Sequence, residues 1–139
     1  MKRAMMSAMV AGVMVLAGCA ATPPGASAVP VPGERVMAYG TKPQGVDFGT
    51  VVITRDSSFF GHGLVMKFAI DGKPVAEVRS GERITLFVPS GEHVFSAQLG
   101  VNPRKDVEAI IKPGVTRYYR LTMHSSGVTD IDVTLPNGE

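Results

Sequence analysis

Three histidines, two adjacent serines, two nearby aspartates and one cysteine hold most of the reactive side-chain chemistry in this 139-residue chain. His62, His93 and His124 are the natural candidates for metal ligation or proton transfer. Two ligands from one strand or helix need HxH, HxxxH or HExxH spacing, and none of the three histidines has it. His62 lies between Gly61 and Gly63, His93 follows Ser90-Gly91-Glu92, and His124 closes an alternating run, so each reads as a turn or strand-edge residue. Two of them converging with a carboxylate across loops would instead make a metal site or a hydrolase. Ser57-Ser58 near His62 would pair a nucleophile with a base, but no G-x-S-x-G elbow surrounds them, and loop serines ordinarily cap turns. Asp130 and Asp132, two apart on a strand, share a side; with Arg117 or Arg120 on a neighbour they read as a cross-strand ion pair. No glycine-rich loop opens a helix after a strand, so nucleotide chemistry has no basis. These residues lead us to expect no catalytic set, no cofactor and no metal.

The aromatic residues suggest recognition. Phe59 and Phe60 occupy a glycine-bounded loop, and Phe87 and Tyr118 fall opposite the apolar stripes of their segments. Exposed rings of this kind form a platform for a peptide or a sugar, unless a second layer or the N-terminal segment covers them.

The elements that position these residues are strands. Val51 and Ile53 lie in a run from Gly49 to Arg55, and Leu64, Met66, Phe68 and Ile70 alternate with polar residues. Asp71-Gly72-Lys73-Pro74 is a hairpin turn, since Asp-Gly suits positive φ. Val75–Arg79 follows, then Ile84, Leu86 and Val88 alternate with Arg83, Thr85 and Phe87. Phe95, Ala97 and Leu99 share a face, as do Tyr119, Leu121 and Met123, and then Ile131, Val133 and Leu135. Between these last groups Val107–Ile111 ends at Lys112-Pro113-Gly114, while residues 99–106 carry little pattern. Seven or eight short strands with regular turn signals predict an all-β fold, a small antiparallel β-sandwich of immunoglobulin or transthyretin type, over residues 36–139.

The N-terminus is different in kind. Lys2 and Arg3 precede a stretch from Ala4 to Leu16 that is apolar apart from Ser7 and Gly12. Thirteen helical residues span roughly 20 Å, too short for the hydrocarbon core of about 30 Å but suited to a signal peptide. Leu16-Ala17-Gly18-Cys19 then resembles the lipobox of bacterial lipoproteins. That resemblance implies a signal peptide over residues 1–18, cleavage before Cys19, and acyl chains such as palmitate on the cysteine. Two or three chains, at about 0.8 kcal/mol per buried methylene, anchor a protein stably. Ala20 stands where an aspartate commonly retains such proteins at the inner membrane, which implies the outer membrane, facing the periplasm.

Residues 19–35, rich in proline and alanine, read as a flexible tether able to hold the domain up to roughly 45 Å from the bilayer. Of fourteen basic side chains, two precede the cleavage point, leaving twelve against twelve acidic ones. A neutral mature chain has no general attraction for nucleic acid. With no cysteine after Cys19, no disulfide supports the domain, and its apolar core must do so.

Three turn motifs resemble a family of bacterial lipoproteins, domain of unknown function 2846: Arg55-Asp56-Ser57-Ser58-Phe59-Phe60-Gly61, Ile70-Asp71-Gly72-Lys73-Pro74-Val75 and Val88-Pro89-Ser90-Gly91-Glu92-His93. The run from Ile111 to Arg120, with Pro113-Gly114 and Tyr118-Tyr119, extends the likeness, which covers about Gly49 to Leu135. It implies an exported sandwich and supplies no catalytic residues. The resulting expectation is a non-enzymatic, membrane-anchored envelope module that binds an envelope protein or the cell wall. The alternatives are a carbohydrate-binding module, or a metal-binding protein or hydrolase built on the histidines.

Overall fold

The alternation of apolar residues produces two sheets that bury their stripes against each other. The computed structural model describes residues 24–136, so the signal peptide and Cys19 lie outside the described residues. Nine strands follow in order: β1 (Val29–Pro30), β2 (Phe48–Arg55), β3 (Met66–Ile70), β4 (Lys73–Val78), β5 (Glu82–Pro89), β6 (Gly91–Leu99), β7 (Lys105–Ile111), β8 (Thr116–Met123) and β9 (Thr129–Thr134). One sheet has the order β1-β5-β2-β8-β9 and the other β4-β3-β6-β7. Pairing is antiparallel except for β1 with β5 and β2 with β8. Among the described residues no helix is long and apolar enough to cross a membrane.

The β-sandwich expected from the alternation is what forms, with nine strands rather than seven or eight. Ile84, Leu86 and Val88 are buried while Arg83, Thr85 and Phe87 are not, as a period of two requires. Phe95 is the hinge of the core, with its ring centroid 5.4 Å from Phe68 within its own sheet and 5.1 Å from Tyr119 of the facing one. Both pairs are edge-on, the arrangement that the ring quadrupole favours. Asp71 and Gly72 take φ values of 52° and 76°, the two positive angles of a type I′ turn.

Three expectations are corrected. Residues 24–35 are not a free tether: β1 pairs with the edge of β5, and Arg35 forms a forked ion pair with Glu82 while donating to the Glu77 carbonyl at 3.0 Å. The Met37 and Ala38 amides then both donate to the Val75 carbonyl, so this strap covers the exposed edges of β5 and β4, which would otherwise invite pairing with other chains. Leu64 is exposed rather than core, because β3 begins only at Met66. Val133 and Leu135 are exposed too, since β9 is an outer strand and of that stripe Ile131 alone reaches the core.

The connections 56–65, 79–81, 100–104 and 124–128 emerge at one end of the sandwich. The turns at Asp71-Gly72, Ser90 and 112–115 emerge at the other. Residues 24–28 lead into β1 at the first end, where the Val29 amide donates to the Gly81 carbonyl and Arg83 holds the Gly25 carbonyl.

Candidate functional site

The loop after β2 is built from its two preceding charges. Successive side chains of a strand point to opposite faces, so Arg55 and Asp56 act on different surroundings. Arg55 is the largest fully buried side chain. Its Nη1 donates to the carbonyls of Leu64 at 2.7 Å and Val78 at 2.9 Å, and its Nη2 donates to Gly61 at 2.8 Å. Burial lowers the guanidinium pKa to about 10, against the opposing pull of Glu82, so the group stays charged at neutral pH. Held by three backbone carbonyls, the guanidinium is a clamp that ties loop 56–65 to the end of β4.

Asp56 faces the other way. Both its oxygens accept from Arg120 Nε, at 2.7 and 2.8 Å, and the Thr122 hydroxyl donates to it at 3.1 Å. The hydrogen bond to Asp56 raises the Arg120 pKa despite partial burial. The Ser80 hydroxyl bridges the Asp56 carbonyl and the Ser58 amide, which fixes the loop against the β4–β5 turn.

What this frame holds out is apolar. Phe59 is 84% exposed, Phe60 is exposed, and the two rings meet edge-on at 5.9 Å. Gly61 sits beneath them with φ 68°; a Cβ there would lie 2.6 Å from Leu99 Cδ2. The loop therefore needs glycine at this position twice over, for its backbone angle and for its closeness to the core. Leu64, Val101 and Val128 add exposed apolar side chains on the same end.

The histidines do not assemble a site. His93 belongs to the opposite end, where its Nε2 pairs with the Pro89 carbonyl at 2.8 Å and its Nδ1 with Asp71 at 2.7 Å. Asp71 also accepts from the Val94 amide, and that bond, followed by the His93 contact, holds its carboxyl below the ordinary range. His124 pairs with Asp130 at 3.0 Å, and Lys105 reaches the same carboxylate at 3.1 Å. Burial pushes Asp130 up, but these two partners outweigh it and hold the group low. His62 is exposed in the Phe59–Phe60 loop, and among the described residues no hydrogen bond joins Ser57 or Ser58 to a histidine. Among the described residues no three His, Cys, Asp or Glu side chains converge as a metal site. His93 thus lies at the end opposite His62 and His124, so no single site brings all three histidines together.

The aspartate pair is also corrected in part. Asp132 stands opposite Arg120 in register, as a cross-strand pair should, but Asp130 takes Lys105 and His124 rather than Arg117 or Arg120. Phe87 is half-covered: it meets Phe48 edge-on at 5.9 Å and lines a groove of about 1130 Å³ beneath residues 28–48. Tyr118 is half-buried, so neither ring joins Phe59 and Phe60 in a platform. Phe59 and Phe60 pack edge to face, so the two rings do not form one coplanar platform.

Arg55 and Asp56 were visible in the sequence only as part of a turn motif. The usable signal was an adjacent cation and anion closing an apolar strand directly before two aromatics. No protein-family model matches this chain, and no curated protein matches it. The fold and the loop end are thus the features on which a function must be argued.

Proposed function

We propose that this chain is a lipid-anchored envelope protein, acylated at Cys19, whose sandwich is a non-enzymatic binding module working through the loop end that carries Phe59 and Phe60. The observation that carries the reading is the exposed ring pair on a loop clamped by a buried guanidinium. Water-exposed phenylalanines on a rigidly tied loop are the mark of a contact surface, because a loop with no such duty gains by folding its rings inward. The sequence Leu16-Ala17-Gly18-Cys19 after a basic and then an apolar segment supports the anchor, and Ala20 supports placement at an outer membrane facing the periplasm.

Cells expressing the full chain and fed a labelled fatty acid provide the test. The wild-type protein takes up label and sediments with membranes; the Cys19→Ser variant does neither. Equal labelling of the two proteins refutes acylation at Cys19.

A further inference from the structure

We infer that the loop end bearing Phe59, Phe60, Leu64, Val101 and Val128 rests in the lipid headgroup region of the membrane to which the chain is anchored, so that the anchor and the apolar tip together fix the orientation of the sandwich. The inference rests on acylation at Cys19 and adds to it the identity of what the tip binds.

The chain enters the described structure at Pro24, and residues 24–28 lie at the tip end, held by the Gly81 carbonyl and Arg83. From Cys19 to Pro24 are five peptide steps. Even fully extended they cover at most about 18 Å. Because residues 24–35 are strapped to the sheet edges and not free to pay out, the domain cannot drift to the distance that a tether through residue 35 would allow. The opposite end lies a further strand length away, about 26 Å for the eight residues of β2. An anchored chain therefore holds the tip end, and not the distal end, beside the bilayer.

The tip is one surface made by several loops that touch. A Cβ on Gly100 would lie 3.7 Å from Leu64 Cδ1, and one on Gly61 would lie 3.7 Å from Met123 Cγ as well as against Leu99. One on Gly127 would lie 4.0 Å from Asn102 Nδ2. Val101, at the tip of its turn, is 99% exposed.

Loops 57–65, 79–81, 100–104 and 124–128 contain Arg79, Arg104, His62 and His124, and no aspartate or glutamate. Arg104 is paired with Asp106 on β7. The distal end carries Asp47, Asp71 and Glu92 alongside Lys73 and Lys112. Aromatic and aliphatic side chains on loops without a free carboxylate, the adjoining Asp56 being buried and Asp106 and Asp130 each paired with cations, suit the boundary between headgroups and acyl chains, where anionic lipids repel carboxylates.

The chain has no tryptophan, which gives a clean probe. Phe59→Trp, Phe60→Trp and Val115→Trp variants of the lipid-bearing protein, checked by mass for acyl chains on Cys19, are placed in phosphatidylethanolamine–phosphatidylglycerol vesicles with or without brominated acyl chains. The indole at position 59 or 60 should shift to the blue and lose about half its emission to the bromines, and the one at the distal position 115 should be unaffected. Equal emission with and without bromine at both 59 and 60 overturns the inference. Shielding of those indoles from aqueous iodide without bromine quenching also overturns it, in favour of a second copy of the chain on the tip. Should no acyl chain be found on Cys19, the anchoring reading fails separately. The mature chain coupled through its single thiol to a maleimide phospholipid then tests the tip alone, by the same two emissions.

Discussion

Replacing Arg55 with methionine keeps the buried stem and removes the guanidinium, leaving the carbonyls of Gly61, Leu64 and Val78 without their shared donor. Hydrogen bonds from a charged donor contribute about 1.5–3 kcal/mol each, so three give roughly 4–9 kcal/mol gross. The Gly61 and Leu64 carbonyls lie near the surface and regain water, which returns part of the loss. A net destabilisation of about 3 kcal/mol is expected, or a melting temperature about 10–20 °C lower for a domain of this size. Lysine carries the charge but not the fork that reaches both sides of the loop, and should lose somewhat less, about 2 kcal/mol. Urea denaturation gives the total, and amide exchange shows whether loop 56–65 loosens before the sheets do. If Arg55→Met costs under about 0.5 kcal/mol and exchange in the loop is unchanged, the clamp does not hold the tip and the reasoning fails.

Gly61→Ala should cost about 1–2 kcal/mol, from its positive φ and the contact with Leu99, while Gly63→Ala, with nothing within 4 Å, should be nearly neutral; equal effects by thermal melting contradict the close packing under the loop. Phe59→Ser should leave stability within about 0.5 kcal/mol, because Phe59 is almost wholly in water; a large drop in urea midpoint would show that the ring is core after all. Asp71→Ala should cost about 1–2 kcal/mol through loss of the acceptor for the Val94 amide and of a residue tolerant of positive φ, whereas Asp71→Asn should retain most of it. Glu82, with burial raising its pKa but Arg35 and the Arg79 amide lowering it further, has a folded value below the ordinary 4.5, and Asp71 and Asp130 likewise lie below 3.8. Groups depressed in this way stabilise the fold above their ordinary pKa values, and the contribution is lost as pH falls through the folded ones. Melting temperature should thus drop from about pH 5 to about pH 3, and a flat profile over that range would contradict these pairings.

Strand alternation was legible wherever one face met the core and the other met water: β5 and β6 follow Ile84-Leu86-Val88 and Phe95-Ala97-Leu99 directly, and Asp71-Gly72 announced its turn. The pattern misled where geometry, not polarity, ended a strand. Leu64 continues the stripe of Met66 and Phe68 in sequence, yet the Arg55 clamp takes its carbonyl and keeps that segment in the loop. Val133 and Leu135 alternate correctly, but Val133 lies near the end of an outer strand and Leu135 beyond it, so that of the stripe only Ile131 is buried. Val29-Pro30 had no signal at all, since two residues pairing in parallel with an edge need neither periodicity nor hydrophobic content. The exposure of Phe59 and Phe60 was legible in their glycine-bounded loop, whereas its support was not: a buried arginine satisfied by three carbonyls leaves no spacing rule, because the acceptors are backbone and every residue has one.

The most direct test of the account is intact mass and N-terminal peptide analysis of the protein recovered from its own membranes. Acylation and processing at Cys19 predict a mature chain that begins at Cys19, carries two or three acyl chains on that residue, and leaves the detergent phase only when they are removed. A chain that begins elsewhere, or a Cys19 peptide with a free thiol, would contradict it.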